Sequence, residues 1–157
     1  MTAYNEEFCL EMTLLLTKYS IKLMDLIDRV FGPCLKYHYQ DRIKQYRSLL
    51  NYLRYDKKYN EISFHLNQVR LIYNRARHTG LNHYDIDQLN YNLDQLLPTA
   101  VTMNHPKDKK LFSQLLLEFQ AALFKICHQH QIQVSGKKNF LIEDFIKGKK
   151  RAPFFPA

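Results

Sequence analysis

The chain has no tryptophan and only three cysteines, four glycines and five prolines in 157 residues. Cys9, Cys34 and Cys127 stand far apart, form no C-x-x-C pair and leave one thiol over if any two join, so a disulfide framework is not expected. They read as reduced core thiols. Scarce glycine and proline, with an apolar fraction of 46%, exclude a disordered chain. A long uninterrupted apolar run is also missing. The stretch 10–31 is broken by Glu11, Lys18, Lys22, Asp25, Asp28 and Arg29 and does not suit a membrane-spanning helix. Glu6, Glu7 and Glu11 stand where a signal peptide is first cationic and then apolar. The expectation is a soluble, cytoplasmic protein with no transmembrane segment.

Motifs for standard chemistry are lacking as well. The sequence holds no phosphate-cradling G-x-x-x-x-G-K-[ST], no H-E-x-x-H and no G-x-S-x-G. His128 and His130 lie two apart, about 200° around a helix, and cannot share one ion. The reading is therefore no cofactor, no metal and no catalytic residue of a common type.

Positive charge is abundant. The formal net charge of +8 favours a polyanionic partner, either nucleic acid or an acidic membrane surface. With 157 residues the chain is long enough to bury one core without staples. Apolar residues recur at three and four along it, predicting an all-α antiparallel bundle of four to five helices over 1–135. A short amphipathic helix and a basic Pro/Phe tail follow over 136–157.

Helix by helix, the predicted spans are 5–30, 38–56, 60–78, 84–97 and 107–131. In the first, Leu10, Leu14, Thr17, Ile21, Met24 and Phe31 form the expected buried stripe, widened by Leu15, Leu16, Leu23 and Leu26. In the second, Tyr39, Ile43, Tyr46, Leu50 and Leu53 are expected to face the core. The third buries Ile62, Leu66, Val69, Tyr73 and Ala76. The fourth buries Ile86, Leu89, Leu93 and Leu96, and the fifth Leu111, Leu115, Phe119, Ala122, Leu123 and Ile126.

Residues 36–59 hold six tyrosines and seven Lys/Arg against two aspartates. Wound as a helix, they place Lys44, Arg47, Asn51, Arg54 and Lys58 on one stripe, with Tyr52 and Tyr55 at its edge. The ordinary reading of such a stripe is a solvated helix face. No acidic residue interleaves with it to make i,i+4 pairs, which favours a surface for phosphate and bases. Lys44, Arg47, Arg54, Lys58, Arg70, Arg75 and Arg77 are the candidates for phosphate, and Tyr52 and Tyr55 for stacking. Lys149, Lys150, Arg151, Phe154 and Phe155 make a candidate docking tail. A protein adaptor without nucleic acid is the third reading, and a bare apolar face on the first or fifth helix is the feature that favours it.

Two family resemblances add to this. Pro33, then "KYHYQDRI" with Asp41-Arg42-Ile43, then "LNQVRLIYNRA" and the helix over 84–97 resemble a four-helix-bundle family. It includes the accessory variability determinant of diversity-generating retroelements and the bundle proteins encoded in ribosomal-RNA intervening sequences. Gln40 stands where that family often has glycine, and residues 99–157 have no counterpart in the minimal bundle. The resemblance implies a non-catalytic basic bundle that oligomerises and binds a reverse transcriptase with its RNA or complementary DNA. Separately, "RHTGLNH" resembles the R-x4-6-H signature of HEPN ribonucleases, which implies Arg77 and His83 as an alternative catalytic pair acting on an RNA phosphate.

Overall fold

A computed structural model describes residues 4–34 and 41–135. Five α-helices make up the fold, and no strand occurs among the described residues: α1 Glu6–Phe31, α2 Arg42–Leu53, α3 Asn60–His78, α4 His83–Leu96 and α5 Pro106–Gln129. Short 3-10 segments follow α1 (Gly32–Cys34) and α4 (Leu97–Thr102). The chain is an all-α bundle. None of the described helices is long and apolar enough to cross a membrane. The amphipathic piece and basic tail expected over 136–157 lie outside the described residues, as does Tyr39.

Local chemistry sets the helix ends. Asn5 caps α1 by accepting from the Phe8 amide at 2.7 Å, and Glu6 and Glu7 complement the positive end of the helix dipole. Asp41 Oδ1 accepts from the amides of Ile43 and Lys44, so α2 begins at Arg42 rather than at 38. At the far end α2 stops at Leu53, three residues before the predicted limit, with Arg54 at its C-cap. Asn82 and Asp85 form a reciprocal capping box at the start of α4. Gly80 adopts φ 86°, the left-handed geometry that suits glycine, and its amide returns to the Arg75 carbonyl at 2.8 Å to close α3.

The core runs between all five helices. Phe8, Met12, Leu16, Leu23 and Ile27 of α1 meet Leu49 and Leu53 of α2, Ile62 and Leu66 of α3, Ile86 and Leu89 of α4, and Phe112 and Phe119 of α5. Helix α1 packs on α5, α3 and α2, while α4 packs on α3 and α5. Tyr19 and Phe119 stack with centroids 4.9 Å apart. Each fully buried large side chain contributes about 1.5–3 kcal/mol relative to exposure. Between α4 and α5 the buried Gln120 donates to Asn90 Oδ1 at 2.7 Å, pairing two buried amides across helices.

The predicted stripes hold on α4 and, with Ile72 added, on most of α3. Two corrections are needed. Ile43 of α2 is exposed, and Leu49 takes its place in the core beside Tyr46, Leu50 and Leu53. The larger correction concerns α1. Leu10 and Leu14 are each 61% exposed and Ile21 is 44% exposed. The buried face is instead Phe8, Met12, Leu15, Leu16, Tyr19, Leu23, Leu26, Ile27 and Phe31. Helix α1 carries two apolar faces on opposite sides, and periodicity alone does not say which meets the core.

Candidate nucleic-acid interface

Helices α2 and α3 meet along a groove of about 660 Å³. Lys44, Arg47, Ser48, Leu50, Asn51 and Arg54 line it from one side, and Ser63, Phe64, Asn67, Gln68 and Arg70 from the other. The spacing of three and four on each helix turns these residues to a common side. Register comes from two contacts: the Ser63 hydroxyl donates to the Leu50 carbonyl, and buried Tyr46 lies near Arg70.

Four guanidinium or ammonium groups line the groove, and no lining residue is acidic. Arg70 Nε and Nη2 donate to Asn67 Oδ1 at 3.1 and 2.9 Å, which fixes the guanidinium in place. Partial burial, and then the nearby Arg47 charge, push Arg70 below the ordinary arginine value. Both causes disfavour a cation, and an anion entering the groove would offset the repulsion between the two guanidinium groups. Burial pushes the Tyr46 phenol well above its ordinary value, so it stays neutral beneath the charges.

Of the residues expected to meet phosphate, Lys44, Arg47, Arg54 and Arg70 come together in this groove. Lys58 does not line it; its Nζ donates to Asn104 Oδ1 at 2.8 Å and lies 5.3 Å from the Tyr59 centroid. Arg75 is engaged elsewhere, paired with Asp85 at 2.9 Å. Arg77 is exposed at the end of α3, 5.3 Å from the Tyr73 centroid and seven residues beyond Arg70. This spacing puts it on the same side of α3, about 10 Å further along.

Tyr52 and Tyr55 are exposed, as a stacking role requires, but neither lines the groove. Arg54 lies over the Tyr55 ring at 4.7 Å and also donates to its hydroxyl. The aromatic residue of the groove is Phe64, 56% exposed and absent from the sequence-based set. Its ring meets His65 at 5.1 Å, and His65 meets the exposed Tyr91 at 6.3 Å, so an aromatic row continues from the groove to α4. The available signal was that Phe64 precedes Asn67 by three and Asn67 precedes Arg70 by three. Which neighbour that row faces depends on packing.

Arg77 and His83 flank the α3–α4 connection. His83 Nδ1 is 3.1 Å from the Tyr4 hydroxyl and Nε2 is 3.4 Å from Asp87, so both ring nitrogens have neighbours within the bundle. For metals, Glu7, Glu11 and His130 bring three ligand atoms within 4.8 Å of one another, a grouping that joins residues 119 apart. His130 Nε2 lies 2.7 Å from Glu11 Oε2, a hydrogen bond that brings two of these three residues together within the bundle. The docking tail, Lys149, Lys150, Arg151, Phe154 and Phe155, lies outside the described residues. The chain matches no protein-family model, no curated protein and no solved structure.

Proposed function

We propose that the α2–α3 groove binds the backbone of single-stranded nucleic acid, RNA or DNA, and that the chain acts without catalysis as a basic accessory subunit of a nucleoprotein complex. What supports this reading is the convergence of Lys44, Arg47, Arg54 and Arg70 on one groove whose lining contains no carboxylate. A solvated helix face normally carries acidic neighbours for its cations; here two helices contribute cations to a shared concavity. Phosphate oxygens would take the guanidinium groups, and amide side chains such as Asn51 and Gln68 would donate alongside. Phe64 offers a face on which any base can stack. The family resemblance supports a reverse transcriptase as the partner in that complex.

The test is binding of a fluorescent single strand at several salt concentrations. Each phosphate neutralised contributes about −0.7 to the slope of log affinity against log salt. Arg47→Gln with Arg54→Gln is expected to make the slope shallower by roughly 1.4, with the melting temperature unchanged. Unchanged affinity and slope would reduce the groove to a solvated surface. A protein-binding role has its own support in the exposed apolar stripe of α1.

A further inference from the structure

The start of α1 and the end of α5 bring a mixed donor set together. Glu7 and Glu11 stand four apart, so α1 presents both carboxylates on one edge. His130 is the C-cap of α5; its amide returns to the Ile126 carbonyl at 3.2 Å, and the Ile132 amide returns to the Cys127 carbonyl at 2.8 Å. The turn carries the imidazole against α1. Its ring meets Phe8 edge-on with centroids 5.2 Å apart, and 12% of the His130 side chain is exposed. One ring nitrogen of His130 and one oxygen of each glutamate all lie within 4.8 Å of one another.

Charge and donor chemistry both favour a cation at this point. Glu7 has no hydrogen bond or ion pair among the described residues, although its carboxylate lies beside that of Glu11. Like charges four apart on a helix are destabilising, and Glu11 sits past the first turn of α1, beyond the reach of the helix dipole. One imidazole against two carboxylates leaves local negative charge in a chain whose total is +8. Two carboxylate oxygens and an imidazole nitrogen are ligands that zinc accepts, with a fourth position left to water. The imidazole separates this set from the all-oxygen sites of magnesium and calcium. Around a tetrahedral zinc such ligand atoms sit about 3.3 Å apart. The spacing here brackets that value, since His130 Nε2 is 2.7 Å from Glu11 Oε2 and no pair in the set exceeds 4.8 Å. Rotation about the glutamate side-chain bonds covers the difference. The ion takes the place of the proton that Nε2 shares with Glu11: a neutral ring keeps its proton on Nδ1, and a cationic ring releases one to solvent. We propose that Glu7, Glu11 and His130 bind one Zn2+ ion, which clips the start of α1 to the end of α5.

None of the three ligands lines the α2–α3 groove, so the proposal stands or falls independently of nucleic-acid binding. The experiment is calorimetric titration of Zn2+ into the full chain, stripped of metal and nucleic acid, with melting curves alongside. The native chain is expected to bind one ion and, at a hundredfold excess over Kd, to melt about 5–10 °C higher. Glu7→Gln tests the site without touching the core, because Glu7 is exposed. Its metal-free melting temperature should match or exceed that of the native chain, since a like-charge contact is gone. Its zinc affinity should fall by at least about tenfold, the loss that even an outer-shell partner causes. His130→Gln should lose affinity to the same degree, and Glu7→Gln alone decides if that variant fails to fold. With Co2+ in place of Zn2+, no strong near-ultraviolet thiolate band is expected. Absence of saturable zinc binding by the native chain up to about 100 μM overturns the proposal. So does an affinity unchanged in Glu7→Gln or in folded His130→Gln, or a thiolate band that places the ion on a cysteine.

Discussion

Arg75 Nε and Nη2 both reach Asp85 Oδ1 at 2.9 Å, tying the last turn of α3 to the first turn of α4. Asp85 is buried, and its other oxygen accepts from the Asn82 amide at 3.1 Å within the capping box. Removing the guanidinium leaves a buried carboxylate with one partner fewer. Arg75→Gln is expected to cost about 1–3 kcal/mol by thermal or urea unfolding. The folded variant should bind nucleic acid with an unchanged salt slope, because Arg75 lies outside the groove. A shallower slope would return Arg75 to the phosphate-binding set.

Phe64→Ala separates stacking from charge. Loss of one aromatic platform is expected to weaken single-strand binding by about 1–3 kcal/mol while leaving the salt slope as in the native chain. Tyr55→Ala, outside the groove, should have the smaller effect. The reverse order in a titration of both variants would place the base contacts on the α2 end instead.

Alkaline stability follows from two buried acids. Burial pushes the Cys127 thiol from its ordinary 9.0 up to about 12, and the Tyr46 phenol rises from its ordinary 10.0 for the same reason. In each case the folded state holds its proton more tightly than the unfolded state. Their contribution is therefore fully present below pH 9.0 and is lost as pH rises from there toward 12. The melting temperature should fall over that window, and Cys127→Ala combined with Tyr46→Phe should fall less steeply. An identical slope in the double variant would remove both groups from the explanation.

The native chain is expected to leave single-stranded RNA intact. His83→Ala should lower stability modestly through the lost Tyr4 and Asp87 contacts and change nothing in an RNA cleavage assay. Cleavage by the native chain that disappears in both His83→Ala and Arg77→Ala would replace the binding reading with the ribonuclease one.

Much of this molecule was legible before folding. Helix α3 is predicted over 60–78 and found at Asn60–His78, because Ile62, Leu66 and Val69 keep a clean period and Gly80 supplies a stop. Four of the seven basic candidates, Lys44, Arg47, Arg54 and Arg70, meet in one groove. Three of these share a stripe on α2, and local periodicity finds such stripes.

Tertiary structure decided the rest, for a physical reason that differs in each case. Helix α1 is apolar on two sides, so its sequence is compatible with burying either. The choice of Phe8, Met12 and Tyr19 over Leu10, Leu14 and Ile21 came from what α3 and α5 offered to fill. Arg75 and Arg70 look alike in sequence, five residues apart on one helix, yet one meets a buried carboxylate of α4 and the other an amide facing a groove. Phe64 gained its place beside the cations from α2 lying against α3. Composition and period determined that this chain is a basic helical bundle. Which cations line a shared groove, and which apolar face of α1 stays exposed, depended on how the helices met.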